Sequence, residues 1–198
     1  MRRFVLIMSV LAMVGLSGCA TKPLDDFTPA GTLHYSHQND VYVGDFTYSA
    51  MQTMGMRSDQ IENTAIGNFY LGVSVADLVR KATVVELQNA GMLIKSEANL
   101  IVVGDVTNFK ASDIGFTVDW TYGITYSIKQ RNTGETLFSR HYDTPMMTTR
   151  KMFMSQATAV GFVQKMISTS CVLFIQDPEA RSILDAAPAD VIDPGVEP

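Results

Sequence analysis

The sequence predicts an α+β fold, in which an antiparallel meander sheet has two helices packed on one face. Three observations support this: a long stretch of alternating apolar and polar residues, a strand pattern on each side of it, and two helix patterns that bracket these strands. Strands joined by short turns usually pair with their sequence neighbours. A sheet with one apolar face also requires a covering layer, which the two helices can provide.

The alternating stretch, residues 116–128, is the predicted centre of the sheet. Neighbouring side chains of a strand point to opposite faces, and β-branched and aromatic residues fit a half-buried pleated surface. The stretch therefore predicts one apolar and one polar face. The apolar positions are Phe116, Val118, Trp120, Tyr122, Ile124, Tyr126 and Ile128, and those between them are Thr117, Asp119, Thr121, Gly123, Thr125 and Ser127.

Two flanking patterns complete the meander. Residues 100–109 form a strongly apolar strand pattern, and residues 135–143 form a shorter one. The shorter strand should lie nearer an edge, because it contains Arg140 and His141. Residues 41–48 predict a first strand that pairs with 100–109, in a direction that the sequence leaves open.

The first long helix is predicted over residues 74–90. Ser74 can cap it, Asp77 follows three residues later, and apolar residues recur at helical spacing. Gly91 then favours a left-handed stop. Residues 49–72, which precede this helix, predict a loop with one helical turn.

The second long helix is predicted over residues 151–175, after the break at Pro145. Asp177 and Pro178 then predict the start of a short helix that ends near Ala187. The apolar stripe of the long helix consists of Phe153, Ala157, Val160, Val163, Ile167, Cys171 and Phe174.

The N-terminus has the features of an export signal. Arg2 and Arg3 precede an apolar run, residues 4–16, which is shorter than the ~20 residues that a spanning helix needs. Leu16-Ser17-Gly18-Cys19 resembles the lipobox of bacterial lipoproteins. That resemblance implies cleavage before Cys19 and acylation of Cys19, and Ala20 after it implies the outer membrane. The alternative is an ordinary signal peptide with an incidental cysteine.

These features divide the chain into a signal peptide (1–18), a flexible tether (19–40), a single α+β domain (41–187) and a disordered tail (188–198). Without Arg2 and Arg3, 13 of the 15 basic residues remain against 20 acidic ones, a net charge of −7. A chain of this charge has no electrostatic footprint for nucleic acid or for anionic lipid. Cys171 has no cysteine partner once Cys19 is acylated.

The order of elements resembles that of YajG-type small lipoproteins of the cell envelope. The matching features are Cys19, the helix end Ala90-Gly91, the strand segment 101–106, and the long alternating strand that precedes a C-terminal helix. The resemblance implies a non-catalytic envelope protein that binds a partner. It carries over only Cys19 as a functional residue.

Residues that could support catalysis or metal binding are few. Ser74 lacks the glycine context of a nucleophile elbow and is already expected to cap a helix. His141 beside Asp143 could belong to a triad, but an exposed strand residue is the simpler interpretation. His34 and His37, with Asp40, fall short of the usual four-ligand metal site. Asp105, Asp113 and Asp119 have no spacing that forces any two together.

The methionines form two groups in the sequence. Met51, Met54 and Met56 precede the first long helix, and Met146, Met147, Met152 and Met154 precede the second. Thioethers are ligands for copper(I), but methionine is equally an adaptable residue of cores and binding surfaces. We interpret Met146, Met147, Met152 and Met154 as a partner surface, because neither group contains a histidine or cysteine.

The sequence therefore predicts a non-catalytic lipoprotein with no cofactor and no metal site. It should face the periplasm from the outer membrane, held there by its lipid, and bind or support another envelope component. Two alternatives stay open. One is a pocket for a lipid or hydrophobic metabolite between the helices and the sheet, or a role as an auxiliary component of a lipid-transport system. The other is a methionine-based copper(I) site.

Overall fold

A computed structural model of the chain describes residues 27, 29, 40–63, 69–153 and 155–186. Along these residues the elements are β1 (Asp40–Val43), α1 (Ser49–Met54), β2 (Gln60–Asn63), β3 (Phe69–Tyr70), α2 (Val75–Asn89), β4 (Leu93–Ile94), β5 (Leu100–Ser112), β6 (Thr117–Gln130), β7 (Thr136–Asp143), β8 (Met147–Arg150), a 3₁₀ turn (Lys151–Phe153), α3 (Gln156–Gln176) and α4 (Pro178–Asp185). The α+β class is confirmed. The predicted signal peptide and C-terminal tail lie outside the described residues.

Two long antiparallel strands, β5 and β6, form the centre of the sheet and pair from Leu100↔Gln130 to Ser112↔Asp119. The outer edge of β5 is shared by β1 and β2, and both run parallel to it. The outer edge of β6 is shared by β7 and β8, and both run antiparallel to it. The β5–β6–β7 meander is as predicted, but the parallel β1 and β2 make the whole sheet mixed.

A β-bulge keeps the apolar faces of β5 and β6 together. Val106 pairs with Ile124 and Asn108 with Gly123, so Thr107 is an extra residue in β5. An extra residue reverses the faces of the residues that follow it. The buried positions of β5 accordingly change from even to odd numbers, ending with Phe109 and Ala111.

Both long helices pack on the apolar face of β6, where Tyr126 contacts each of them. Its hydroxyl lies 3.2 Å from Thr83 Oγ1 of α2 and 3.0 Å from Cys171 Sγ of α3. Its ring stacks on Phe174 of α3 with a centroid distance of 4.6 Å, and Phe46 meets it edge-on at 6.0 Å. The predicted covering of one face by two helices is thus observed.

The helix ends agree closely with the sequence patterns. Ser74 caps α2 by accepting a hydrogen bond from the Asp77 amide, and Gly91 follows the helix with a φ of 94°. Asp177 caps α4 through the amides of Glu179 and Ala180, with Pro178 in the first turn.

The structure differs from the predicted elements at several points, and the first strand ends at Val43 instead of residue 48. Residues 49–72 contain α1, β2 and β3 in addition to loop, because this segment pairs with the second half of β5. The strand β8 was not predicted, and α3 begins at Gln156 instead of residue 151. Phe116 and Phe153 were assigned to the apolar faces, but they lie in turns and are 92% and 64% exposed.

One described helix segment, Ala157–Gln176, is long and apolar enough to cross a membrane, with a mean hydropathy of 1.5. Half of it is buried within the protein. Its Val163, Ile167, Cys171 and Phe174 are fully buried in the core, so the same composition serves packing against the sheet.

Gly104 should be needed for the close approach of Phe46 to the sheet. A Cβ at position 104 would lie 2.3 and 2.6 Å from two ring carbons of Phe46 and 3.1 Å from Ile124 Cδ1. We expect Gly104→Ala to lower the free energy of unfolding by about 1–3 kcal/mol, measured by urea denaturation, because the ring must move. Gly161→Ala is the matched control: no described atom beyond its own helix backbone lies within 4 Å, and alanine favours helix by about 1 kcal/mol. Equal effects of the two changes would contradict this account.

Candidate partner-binding surfaces

The outer edge of β6 is covered in two parts, with an interruption between them. The Thr144 amide donates to the Tyr122 carbonyl at 3.0 Å, directly after β7. Pro145 has no amide hydrogen to continue the ladder, and pairing resumes where Met147 of β8 lies opposite Trp120. The break predicted at Pro145 therefore separates two strands, β7 and β8, that pair with the same edge of β6.

The β7 part of this edge is fastened to α4. Arg140 forms an ion pair with Asp177 and donates to Glu179 Oε2 at 2.6 Å, while Tyr142 Oη donates to Asp177 Oδ2 at 2.8 Å. Burial opposes ionisation of Asp177, but the hydrogen bonds from Tyr142, the Ala180 amide and Arg140 hold its pKa below the usual value. The helix α4 and β7 are thus joined by charged and polar contacts.

The β8 part is open. Among the described strands β8 pairs with β6 alone, so its other side has no strand neighbour. Met146, at its start, is 62% exposed, whereas Met147 is half-buried against the core. Of the predicted partner surface, Met146 and Met147 therefore lie at this edge of the sheet.

A second exposed region lies at the end of the sheet where β5 turns into β6. Ile114 and Phe116 of this turn are 70% and 92% exposed, and Met152 and Phe153 of the 3₁₀ turn are 78% and 64% exposed. The two turns lie side by side. The amide of Lys151, the first residue of the 3₁₀ turn, donates a hydrogen bond to the Phe116 carbonyl at 3.0 Å. We call Ile114, Phe116, Met152 and Phe153 the apolar tip.

The predicted set of four methionines is thus divided. Met146 and Met147 belong to the β8 edge, Met152 belongs to the apolar tip, and Met154 lies outside the described residues. In the other group, Met51 and Met56 pack partly against the core and Met54 is 54% exposed.

The polar face of the sheet contains a hydrogen-bonded chain of side chains. Thr125 Oγ1 lies 3.3 Å from His141 Nδ1, and His141 Nε2 lies 3.1 Å from Asp143 Oδ1. An open depression of about 340 Å³ adjoins Thr125 and also borders Asp45, Thr47, Val103, Gly104, Asp105, Ser127 and Lys129. Asp105 accepts hydrogen bonds from Thr47 Oγ1 at 2.7 Å and from the Ser49 amide at 3.0 Å.

The order Thr125–His141–Asp143 matches that of a nucleophile, base and orienting acid, but its surroundings do not favour catalysis. Thr125 lies within the ladders of β6, opposite Asp105 on one side and His141 on the other. An oxyanion hole needs amides aimed at the reacting atom, and amides in a central strand are committed to the sheet. His141 and Asp143 are also largely exposed, so solvent weakens their interaction.

The space between the helices and the sheet is filled by side chains. Trp120, Tyr126, Phe174, Met166 and Ile167 are fully buried there, and the predicted pocket for a hydrophobic ligand stays a prediction. The side chains considered as metal ligands give no metal site within the described residues. His34 and His37 lie outside the described residues, Asp40 pairs with Lys95 at 2.6 Å, and no group of three or more metal-binding side chains occurs in the described ranges. Cys19 also lies outside those ranges.

No protein-family model matches this chain, and no curated protein matches it. Its fold is similar to that of protein XCC0632 from Xanthomonas campestris, described under the family model DUF330, with a TM-score of 0.58 and 9% identity over 80% of this chain and 94% of that one. Weaker likenesses include a lipoprotein described as putative from Caulobacter crescentus (TM-score 0.43, 12% identity, 64% of this chain and 92% of that one). A minor lipoprotein from Acinetobacter baumannii is similar at the same level (TM-score 0.43, 12% identity, 77% and 98%).

At these identities the comparisons show likeness of fold alone. The likeness to protein XCC0632 is the one above a TM-score of 0.5 among those named here, and it supports the α+β fold. The resemblance to the YajG-type group stays a prediction.

The thiol of Cys171 should be unreactive in the folded protein. Burial raises its pKa to about 11, so we expect alkylation of a Cys19→Ser chain at pH 8 only after unfolding. The same shift predicts that stability falls as pH rises above about 9, where the unfolded thiol ionises and the folded thiol does not. Urea titrations from pH 7 to about 11 measure this loss, which Cys171→Ala should reduce. Rapid alkylation of the native chain would contradict the buried assignment.

Proposed function

We propose that this protein is a non-catalytic, lipid-anchored accessory protein of the bacterial cell envelope, which faces the periplasm from the outer membrane and binds a protein partner along β8. The lipobox-like segment Leu16 to Cys19 supports the lipid anchor, and Ala20 supports a location in the outer membrane. The observation that carries the binding role is the open β8 edge beside the exposed Met146.

An open strand offers unpaired N–H and C=O groups to an extended segment of another protein. β8 has only four residues, so backbone pairing alone gives a weak and unselective contact. Met146 adds an adaptable apolar side chain at the start of this edge, and Pro145 prevents pairing from continuing in register into β7. The edge therefore favours a short apolar strand as its partner and disfavours indefinite strand addition.

The division of the edge supports the same function. α4 is fastened to β7 through Arg140 and Asp177, whereas no described helix is fastened to β8 by an ion pair. A partner can thus add to β8 without displacing part of the protein's own fold. The absence of a suitable oxyanion environment around Thr125 supports a non-catalytic role.

The anchor is tested by the mass of the mature protein expressed in a Gram-negative host. We expect a chain that begins at Cys19 and carries diacylglycerol and an amide-linked acyl group, since lipobox cysteines are modified in this way. Cys19→Ser should leave the protein unacylated and release it from the membrane fraction. An intact signal segment, or an unmodified Cys19 at the new N-terminus, would reject lipid anchorage.

The partner surface is tested by placing a photo-crosslinking residue at position 146 and, as a control, at position 54, which is similarly exposed (62% and 54%). We expect a partner to crosslink from position 146 only. Met146→Glu should then weaken capture of that partner by about tenfold or more, because it places a charge in an apolar contact. Met54→Glu should leave capture unchanged. Equal crosslinking from both positions would reject the β8 surface.

A further inference from the structure

We propose that the apolar tip inserts into the lipid surface to which the chain is anchored, so that the sheet stands with its β5–β6 turn toward the membrane. The inference rests on the anchorage at Cys19 proposed above. It concerns a different surface from the β8 edge, and the two can fail independently.

The exposure of the tip, in a chain anchored at a membrane, favours a lipid occupant. Its four side chains are 64–92% exposed and lie on two turns that the Lys151 amide joins through the Phe116 carbonyl. Large apolar side chains clustered at a surface mark a binding site. The boundary between headgroups and acyl chains can surround such side chains in any arrangement.

Two of the charges next to the tip, on Asp113 and Lys151, compensate each other. Lys151, between Arg150 and Met152, forms an ion pair with Asp113 and donates to the Asp113 carbonyl at 3.2 Å. On the polar face, Asp119 accepts a hydrogen bond from Thr148 at 2.7 Å. Insertion of the tip therefore brings no unpaired carboxylate of these two residues toward the hydrocarbon, where an isolated charge is unfavourable.

The tip is also held in place before any lipid is met. Gly115 has a φ of 79°, which glycine adopts readily and which allows the tight β5–β6 turn. Lys151 joins this turn to the 3₁₀ turn through both its amide and its side chain. Since the turns are fixed, little conformational freedom is lost on insertion.

The tether joins the sheet at Asp40, near the Leu100 end of β5, whereas the tip follows Ser112 at the other end. The 13 residues of β5 span about 40 Å. Phe27 packs against the core, so the link from the domain to the lipid is the segment from Cys19 to Phe27, which extends to at most about 30 Å. A link of this length keeps the domain close to the membrane surface.

The net charge of −7 that remains without Arg2 and Arg3 (13 basic against 20 acidic residues) indicates which lipid should be bound. The chain has no overall attraction to an anionic surface, so insertion must depend on apolar contact. We therefore expect binding to neutral phosphatidylcholine and phosphatidylethanolamine vesicles, with no increase when phosphatidylglycerol is added.

The test uses the mature polypeptide with Cys19→Ser, so that acyl chains contribute nothing. Phe116→Cys introduces one accessible thiol for the fluorophore NBD, because Cys171 is fully buried. We expect a severalfold rise in NBD emission on mixed phosphatidylcholine and phosphatidylethanolamine vesicles, and quenching by nitroxide-labelled acyl chains. NBD at Leu93→Cys, in β4 near the opposite end of the sheet, should show neither effect.

A double variant, Ile114→Ser with Met152→Ser, should weaken cosedimentation of the Cys19→Ser chain with these vesicles by about tenfold or more, since two apolar contacts are lost. Both residues are highly exposed, and an unchanged near-ultraviolet circular dichroism spectrum confirms folding of each variant. An NBD signal at position 116 that matches position 93 overturns the proposal. So does a signal that changes only with an added envelope protein, or binding that requires phosphatidylglycerol.

These outcomes are independent of the anchor. Loss of acylation at Cys19 would reject lipid anchorage while leaving the vesicle measurement intact. An acylated protein whose position 116 stays in water would keep the anchor and reject the inserted tip.

Discussion

Tyr126 makes the contact on which the rest of the structure depends. Its ring stacks on Phe174, and its hydroxyl lies within hydrogen-bond distance of Thr83 and Cys171. One residue of the central strand therefore fixes both long helices against the sheet. Buried polar groups must find partners, so the Tyr126 hydroxyl also restricts how the helices can be placed along β6.

The same packing determines which surfaces stay available for binding. The apolar face of β6 is covered by α2 and α3, and α4 is joined to β7 through Asp177. The surfaces that stay exposed include the β8 edge, the polar face and the end of the sheet. The two proposed contacts, one with a protein and one with lipid, use neighbouring parts of the exposed surface.

Much of the fold could be predicted because local patterns and tertiary packing agree. The alternation from Val118 to Ile128 placed the buried face of β6 correctly, and Ser74 and Gly91 marked the ends of α2. The direction of β1 could not be predicted, since an apolar pattern is the same for parallel and antiparallel neighbours. Short β2 and β8 were missed because strands of four residues have too few positions to show a period.

The surfaces were harder to predict than the core. Phe116 continues the alternation of β6 and Phe153 continues the stripe of α3, so each fits a buried pattern. Only the adjacent turns, which place both residues beyond the ends of their elements, make them exposed. For Phe116, the sequence signal that could have indicated exposure was Gly115, because a glycine next to a strand pattern often marks the end of the strand. The division of the methionines between an edge and a tip depends on pairing that no local pattern reveals.

The bulge at Thr107 also affects how this end of the protein can vary. It separates β5 into two segments whose buried positions are out of phase, with Phe109 and Ala111 following the second phase. A shift of the bulge toward Ser112 would turn Phe109 to the polar face, and a shift toward Leu100 would do the same to Val106. Because both side chains are fully buried, the core holds the bulge at Thr107, and with it the direction in which the end of the sheet bearing Ile114 and Phe116 leaves the domain.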